Sequence, residues 1–144
     1  MPNATMQLAT DLRAVLSRII KKLRRESATS QQLSLTERST MGLLYPNKEL
    51  LPSELASMEK ITNQSMSQIL NHLSEIGYIN RKTSTADKRK VFISLTESGE
   101  KTLLQMRSER AAWLARAIAE KCTKEEEAVL RQAVEILAKM IDFE

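Results

Sequence analysis

Apolar side chains recur every three or four positions from Leu8 onward, at Leu8, Leu12, Val15, Leu16, Ile19, Ile20 and Leu23, while Arg13, Ser17, Lys21 and Arg24 fill the opposite side. That period predicts an amphipathic helix over 6–26. The stripe is long for a surface helix of a small domain, so a second subunit is as good a packing partner as the chain's own core. A link from Ser27 to Leu35 follows. Thr36 can then cap a short second helix through Leu44, which Tyr45-Pro46-Asn47 ends by turn chemistry. Pro52 suits the first turn of a third helix, about 52–59, with Glu54 near its positive end. Leu51, just before it, offers no capping oxygen. Thr62 is a good N-cap for a fourth helix, whose apolar stripe Met66, Ile69, Leu70, Leu73 and Ile76 stops before Gly77.

After Gly77 the period shortens to two. Ile79-Asn80-Arg81-Lys82-Thr83 and Val91-Phe92-Ile93-Ser94-Leu95 read as two strands joined by the polar stretch Ser84 to Lys90, a hairpin without a glycine at its tip. Thr96 caps a long helix to about Glu120. Thr123 and Glu126 form a capping box opening a last helix with Leu130, Ala133, Val134, Leu137 and Ile141 on one side. The fold class is therefore mainly α with a small β-hairpin. Three short helices followed by a hairpin make a winged helix-turn-helix over about 36–96, set between long flanking helices at 6–26 and 97–144 within a single domain, 1–144.

Composition narrows this further. A chain of 144 residues with 42% hydrophobic side chains can bury one core, and three glycines and three prolines are too few for a sandwich of many short turns. No apolar run is long enough to span a membrane. The first residues lack a secretory signal and Cys122 has no disulfide partner in the chain, so a soluble, cytoplasmic protein is expected. One histidine, one cysteine and no ligand-spaced cluster exclude an enzyme and leave neither metal nor cofactor to expect. Cys122 reads as an inert thiol rather than a redox sensor.

The net charge of +4 is unevenly spread: residues 1–61 and 62–95 carry +3 each, and 96–144 carry −2. Within 81–90 stand Arg81, Lys82, Lys88, Arg89 and Lys90 against one acid, Asp87. Such a cluster can be no more than a solvated hairpin tip. The polar face of the fourth helix is less ordinary. Asn63, Gln64, Ser67, Gln68, Asn71 and His72 form an uncharged row where a solvated helix would favour Glu and Lys. Asn and Gln pair bidentately with adenine edges, Ser with several bases, and the lack of carboxylates avoids repelling phosphates. The row fits a reader of the DNA major groove. A helical protein-interaction adaptor without DNA binding is the alternative; it explains the long helices but neither the Asn/Gln row nor the basic hairpin.

Three stretches carry a family resemblance: Leu51-Pro52-Ser53-Glu54-Leu55-Ala56, the helix from Thr62 to Gly77, and Asp87-Lys88-Arg89-Lys90-Val91-Phe92-Ile93-Ser94-Leu95-Thr96-Glu97-Ser98-Gly99. The chain resembles the MarR-family transcriptional regulators over its whole length, most specifically in Asp-x-Arg followed by a strand ending Leu-Thr-x-x-Gly. The resemblance implies a homodimer, built from the first and the last two helices. It would bind a pseudo-palindromic, double-stranded DNA operator as a repressor, with release by a small anionic or phenolic effector. It makes Thr62 through Ile76 the recognition helix. The candidate contacts are Thr62, Asn63, Gln64, Ser65, Ser67, Gln68, Asn71 and His72, with Gln64, Gln68 and Asn71 at base edges. It also makes Arg89 the residue that enters the minor groove and Asp87 the carboxylate that orients it, with Arg81, Lys82, Lys88 and Lys90 meeting phosphates. Peroxide-sensing members carry a cysteine in the first helix; this chain has none there.

Overall fold

The computed structural model describes residues 3–27 and 32–144. The chain runs through α1 (Asn3–Glu26), α2 (Leu35–Asn47), β1 (Glu49–Leu50), α3 (Pro52–Glu59), α4 (Asn63–Glu75), β2 (Ile79–Thr83), β3 (Val91–Leu95), α5 (Glu97–Lys121) and α6 (Lys124–Ala138). The expected helices and both hairpin strands are all present. Of the link expected from Ser27 to Leu35, residues 28–31 lie outside the described residues.

Two expectations at α2 need correction. Thr36 does not cap it. The cap is Ser34, whose hydroxyl accepts the Glu37 N–H at 3.1 Å while the Glu37 carboxylate accepts the Ser34 N–H at 2.8 Å. That Ser-x-x-Glu box was legible in the sequence; Thr36 instead lends its carbonyl to the Thr40 hydroxyl. Nor does α2 stop at Leu44: it continues through Pro46 to Asn47, where the Asn47 amide donates to the Leu43 carbonyl at 2.8 Å. Proline in a final turn forfeits one N–H, and the carbonyls left over can be met by side chains. Past Lys48, at φ 61°, the chain forms β1, a strand the hydropathy pattern did not reveal. It pairs antiparallel with β3, Glu49 opposite Ser94 and Leu50 opposite Ile93, giving a three-stranded sheet in the order β1-β3-β2. Two residues are too short for an alternating pattern to register.

The core lies entirely in the segment 33–106. Leu33, Met41, Leu44, Leu55, Ala56, Met66, Leu70, Leu73, Ile79, Ile93, Leu103 and Met106 are all buried. Helices α2, α3 and α4 thus close over one side of the hairpin, and α2 also packs on α5. At Leu51 the missing cap is half supplied by Glu54, whose carboxylate accepts the Leu51 N–H at 2.9 Å. α1 and α6 contain no buried residue, although both are amphipathic and α1 packs along α5.

Candidate nucleic-acid interface

Helix α4 is fixed at both ends. Lys60, left-handed at φ 57°, ends α3 and donates its N–H to the carbonyls of Ala56 and Ser57. Thr62 then caps α4 by accepting the Ser65 N–H at 3.0 Å, while its hydroxyl donates to that of Ser65 at 3.0 Å. At the far end Gly77 takes φ 81°, with Gly77 N–H on the Ser74 carbonyl and Tyr78 N–H on that of Leu73. This pair of bonds is a Schellman motif, which needs the left-handed conformation that glycine adopts without strain. Between these ends Met66, Leu70 and Leu73 are buried, and Asn63, Gln64, Ser65, Ser67, Gln68 and Asn71 are exposed in an uncharged row.

His72 sits at the edge of that row, half-buried, and its Nδ1 bonds the Glu37 carboxylate of α2. Glu37 is 7% exposed. Burial pushes its carboxyl up, but the Ser34 N–H, the His72 side chain and the Ser34 hydroxyl outweigh burial and hold it below the ordinary carboxylate value. The bond to Glu37 raises the His72 pKa in turn. Sequence reasoning placed His72 on the reading face and missed this partner, because thirty-five positions separate the two residues.

The wing builds its turn without glycine. Ser84 N–H meets the Lys90 carbonyl at 2.8 Å, and the Ser84 hydroxyl accepts from the N–H groups of Ala86 and Asp87 at 3.2 and 3.3 Å. Asp87 accepts the Arg89 N–H at 3.1 Å. Side-chain turns of this kind replace the permissive backbone that glycine supplies elsewhere. The same Asp87 carboxylate accepts from Arg89 Nε at 3.1 Å and Nη2 at 3.2 Å, a bidentate pair that leaves the Arg89 side chain 91% exposed. The Arg89 guanidinium holds the Asp87 carboxyl below the usual range. Lys82, Lys88 and Lys90 are exposed along the same hairpin.

One hydrogen bond joins the two surfaces: Nη2 of Arg81, on β2, donates to Oδ1 of Asn71, on α4, at 2.8 Å. The polar row and the base of the wing are therefore contiguous. No carboxylate interrupts the row before Glu75, so the combined surface suits a polyanion.

Two other features lie outside this surface. Between α2 and α5 is a cavity of about 290 Å³ lined by Leu35, Leu43 and Leu103 and by three arginines, Arg38, Arg107 and Arg110. Arg38 is 7% exposed, and burial together with Arg110 and Arg24 lowers its pKa. Arg107 stacks over the Tyr45 ring at 5.5 Å, and the buried Nε of Arg110 has no hydrogen-bond partner among the described residues. The second feature is apolar. Val15 and Ile20 of α1, with Val129, Val134, Ile136 and Ile141 at the C-terminal end, are each more than half exposed. A groove of about 570 Å³ between α5 and α6 is lined by Ile118, Cys122, Leu130 and Val134.

The fold has relatives among known proteins. The family model described as transcriptional regulator SarA/Rot matches residues 18–106. An uncharacterized HTH-type transcriptional regulator of Mycobacterium bovis is 28% identical over 142 residues, covering 99% of this chain and 98% of that protein. The crystal structure of a Pseudomonas aeruginosa protein, named there as a transcriptional regulator, superimposes with a TM-score of 0.89 at 27% identity and covers 100% of both chains. A mutant MarR from E. coli shares the fold, with a TM-score of 0.70 at 18% identity over 88% of this chain and 96% of that one.

Proposed function

The chain belongs to the SarA/Rot family of transcriptional regulators, a winged-helix family of the MarR type, and on that premise we propose that α4 and the wing grip one duplex, once from each subunit of a homodimer. The observation that carries this reading is the contiguity of the exposed Asn/Gln row with the basic hairpin through the Arg81–Asn71 bond. In this reading Asn63, Gln64, Ser67, Gln68 and Asn71 face base edges and backbone in the major groove, with Thr62 and Ser65 at the helix start near a phosphate. Arg89 enters the minor groove, where negative potential favours a cation, and Asp87 holds its planar fork in place. Lys82, Lys88 and Lys90 meet phosphates. Occupancy of an operator that overlaps a promoter would block transcription, so repression asks nothing further of the fold. In this reading the protein acts on DNA in the cytoplasm, the compartment expected from the sequence.

The apolar faces of α1 and α6 support the dimer, since solvent exposure of so much Val and Ile is unfavourable in a monomer. Charge supports it too: Arg18, Lys21 and Lys22 flank Val15 and Ile19 on α1, and Glu125, Glu126 and Glu127 open α6. The α1 helix of one copy suits the α5–α6 groove of the other. The arginine-lined cavity between α2 and α5 supports an anionic effector with an apolar body, because an unpartnered buried guanidinium N–H gains most from a carboxylate or phenolate. Binding there would spread or draw together the reading lobe and the long helices.

A gel shift on the DNA upstream of the chain's own gene, at two salt concentrations, tests the central reading. Sequence-selective binding that weakens steeply with salt is expected, since phosphate contacts release counterions. Absence of any DNA binding would leave the helical adaptor as the better reading.

A further inference from the structure

Arg81 stands two residues beyond buried Ile79 on β2 and pairs in register with buried Ile93 of β3. Residues two apart on a strand share a face, so the Arg81 stem leaves the edge of the core on the side where α4 packs. Its guanidinium meets Asn71 at 2.8 Å. A guanidinium can only donate, so the bond fixes the amide: Oδ1 faces Arg81 and Nδ2 is turned away from it. Asn71 follows Gln64 and Gln68 at helical spacing on the exposed ridge, at the end of the row nearest the hairpin.

Adenine is read by an asparagine that donates to N7 and accepts from the N6 amino group; guanine offers two acceptors, N7 and O6. With Oδ1 held against a cation, an adenine amino group would bring a further positive hydrogen to an oxygen already engaged, beside a full positive charge. A guanine edge meets the reverse, with both acceptors facing the Asn71 Nδ2 hydrogens and the remaining Arg81 N–H groups. We infer that Arg81 is a specificity-determining positioning residue, which turns Asn71 from an adenine reader into part of a donor-only pair selective for guanine. The inference rests on the reading of α4 as the helix in the major groove, and it reassigns Arg81 from a phosphate contact to a partner in base recognition.

The bond is exposed on both sides, so its removal costs little stability and the variants fold. The test is selection of binding sites from random duplex DNA by the full-length chain, in parallel with Asn71→Ala and Arg81→Met, each checked by thermal melting. The Asn71→Ala variant identifies the base pair concerned as the one position whose preference it loses. At that position the wild-type chain is expected to select guanine over adenine by roughly tenfold or more, the size of one good bidentate contact. Arg81→Met is expected to shift the preference to adenine, because the freed amide can then both donate and accept. Adenine at that position in the wild-type sites would overturn the inference. So would an Arg81→Met protein that binds more weakly on all sequences with unchanged base preference, the behaviour of a phosphate contact. Failure of the wild-type chain to enrich any sequence would remove the major-groove reading itself, which sets that failure apart from the other two.

Discussion

Gly99, in the first turn of α5, lies so close to Tyr78 that a β-carbon built on it would stand 2.1 Å from the Tyr78 carbonyl oxygen. The same junction holds two bonds of Thr96: its N–H donates to the Tyr78 carbonyl at 3.0 Å and its hydroxyl to the Gly77 carbonyl at 2.6 Å. Thr96 Oγ1 also accepts the Gly99 N–H, capping α5. The Leu-Thr-x-x-Gly pattern thus has a mechanical meaning. It fastens the first turn of α5 onto the segment where α4 ends, a junction through which a tilt of α5 is expected to carry α4.

Gly99→Ala is accordingly expected to destabilise the fold by about 1–3 kcal/mol or more, since the obstruction is backbone and cannot swing aside. Differential scanning calorimetry should show a fall in Tm of several degrees. A melting temperature equal to wild type would mean that the junction yields easily and does not couple the two helices.

The wing and the reading helix predict different losses. Arg89→Ala should weaken operator binding and relax base preference at the outer, minor-groove positions, with a shallower dependence on salt. Gln68→Ala should cost roughly 1–3 kcal/mol on the operator and little on random DNA. Fluorescence anisotropy on both duplexes separates the two effects. Equal loss of Gln68→Ala on both would exclude base reading by that residue.

The His72–Glu37 pair predicts a pH window. His72, whose pKa is raised by Glu37, contributes stability that is complete below its ordinary value of 6.5 and disappears as pH rises through the raised folded value. Glu37, whose pKa is lowered, contributes above its ordinary value of 4.5, and that contribution disappears as pH falls through the lowered folded value. The pair therefore supports the fold most between those two ordinary values. His72 is the one histidine in the sequence, so its ring signal in an NMR titration is unambiguous. Glu37→Gln keeps a capping side chain but removes the charge, and should bring the His72 midpoint down toward 6.5. An unmoved midpoint would show that the pair does not form in solution.

Charge at the exposed apolar face should break the proposed homodimer and leave the protomer folded. Val134 is 66% exposed on α6 and makes no demand on the core. Val134→Glu is expected to sediment as a monomer with wild-type circular dichroism, and to lose most operator affinity, since two linked reading helices are needed to span both half-sites. A Val134→Glu protein that remains dimeric would place the interface elsewhere.

The parts of this molecule that could be read from the chain are those with local causes. Thr62, Thr96 and Thr123 cap the helices they were expected to cap, and the hairpin strands have the expected ends, because capping and alternation act over a few residues. The Asp87–Arg89 pair likewise needs only two positions and a turn. What the chain withheld depends on long separations. The partnerships of His72 with Glu37 and of Asn71 with Arg81 follow from how helices and sheet pack, as does the convergence of Arg38 and Arg110 on one cavity. At α2 the local signal is Ser34 with Glu37 three residues on, a stronger capping pattern than Thr36 offers.

Hydroxyl-radical and methylation footprinting of the full-length chain on its own upstream DNA addresses the central claim most directly. Two protected major-groove blocks about 10 base pairs apart are expected, related by two-fold symmetry, each flanked by a minor-groove protection that Arg89→Ala erases. A single block, or protection confined to the backbone with no groove preference, would contradict the account.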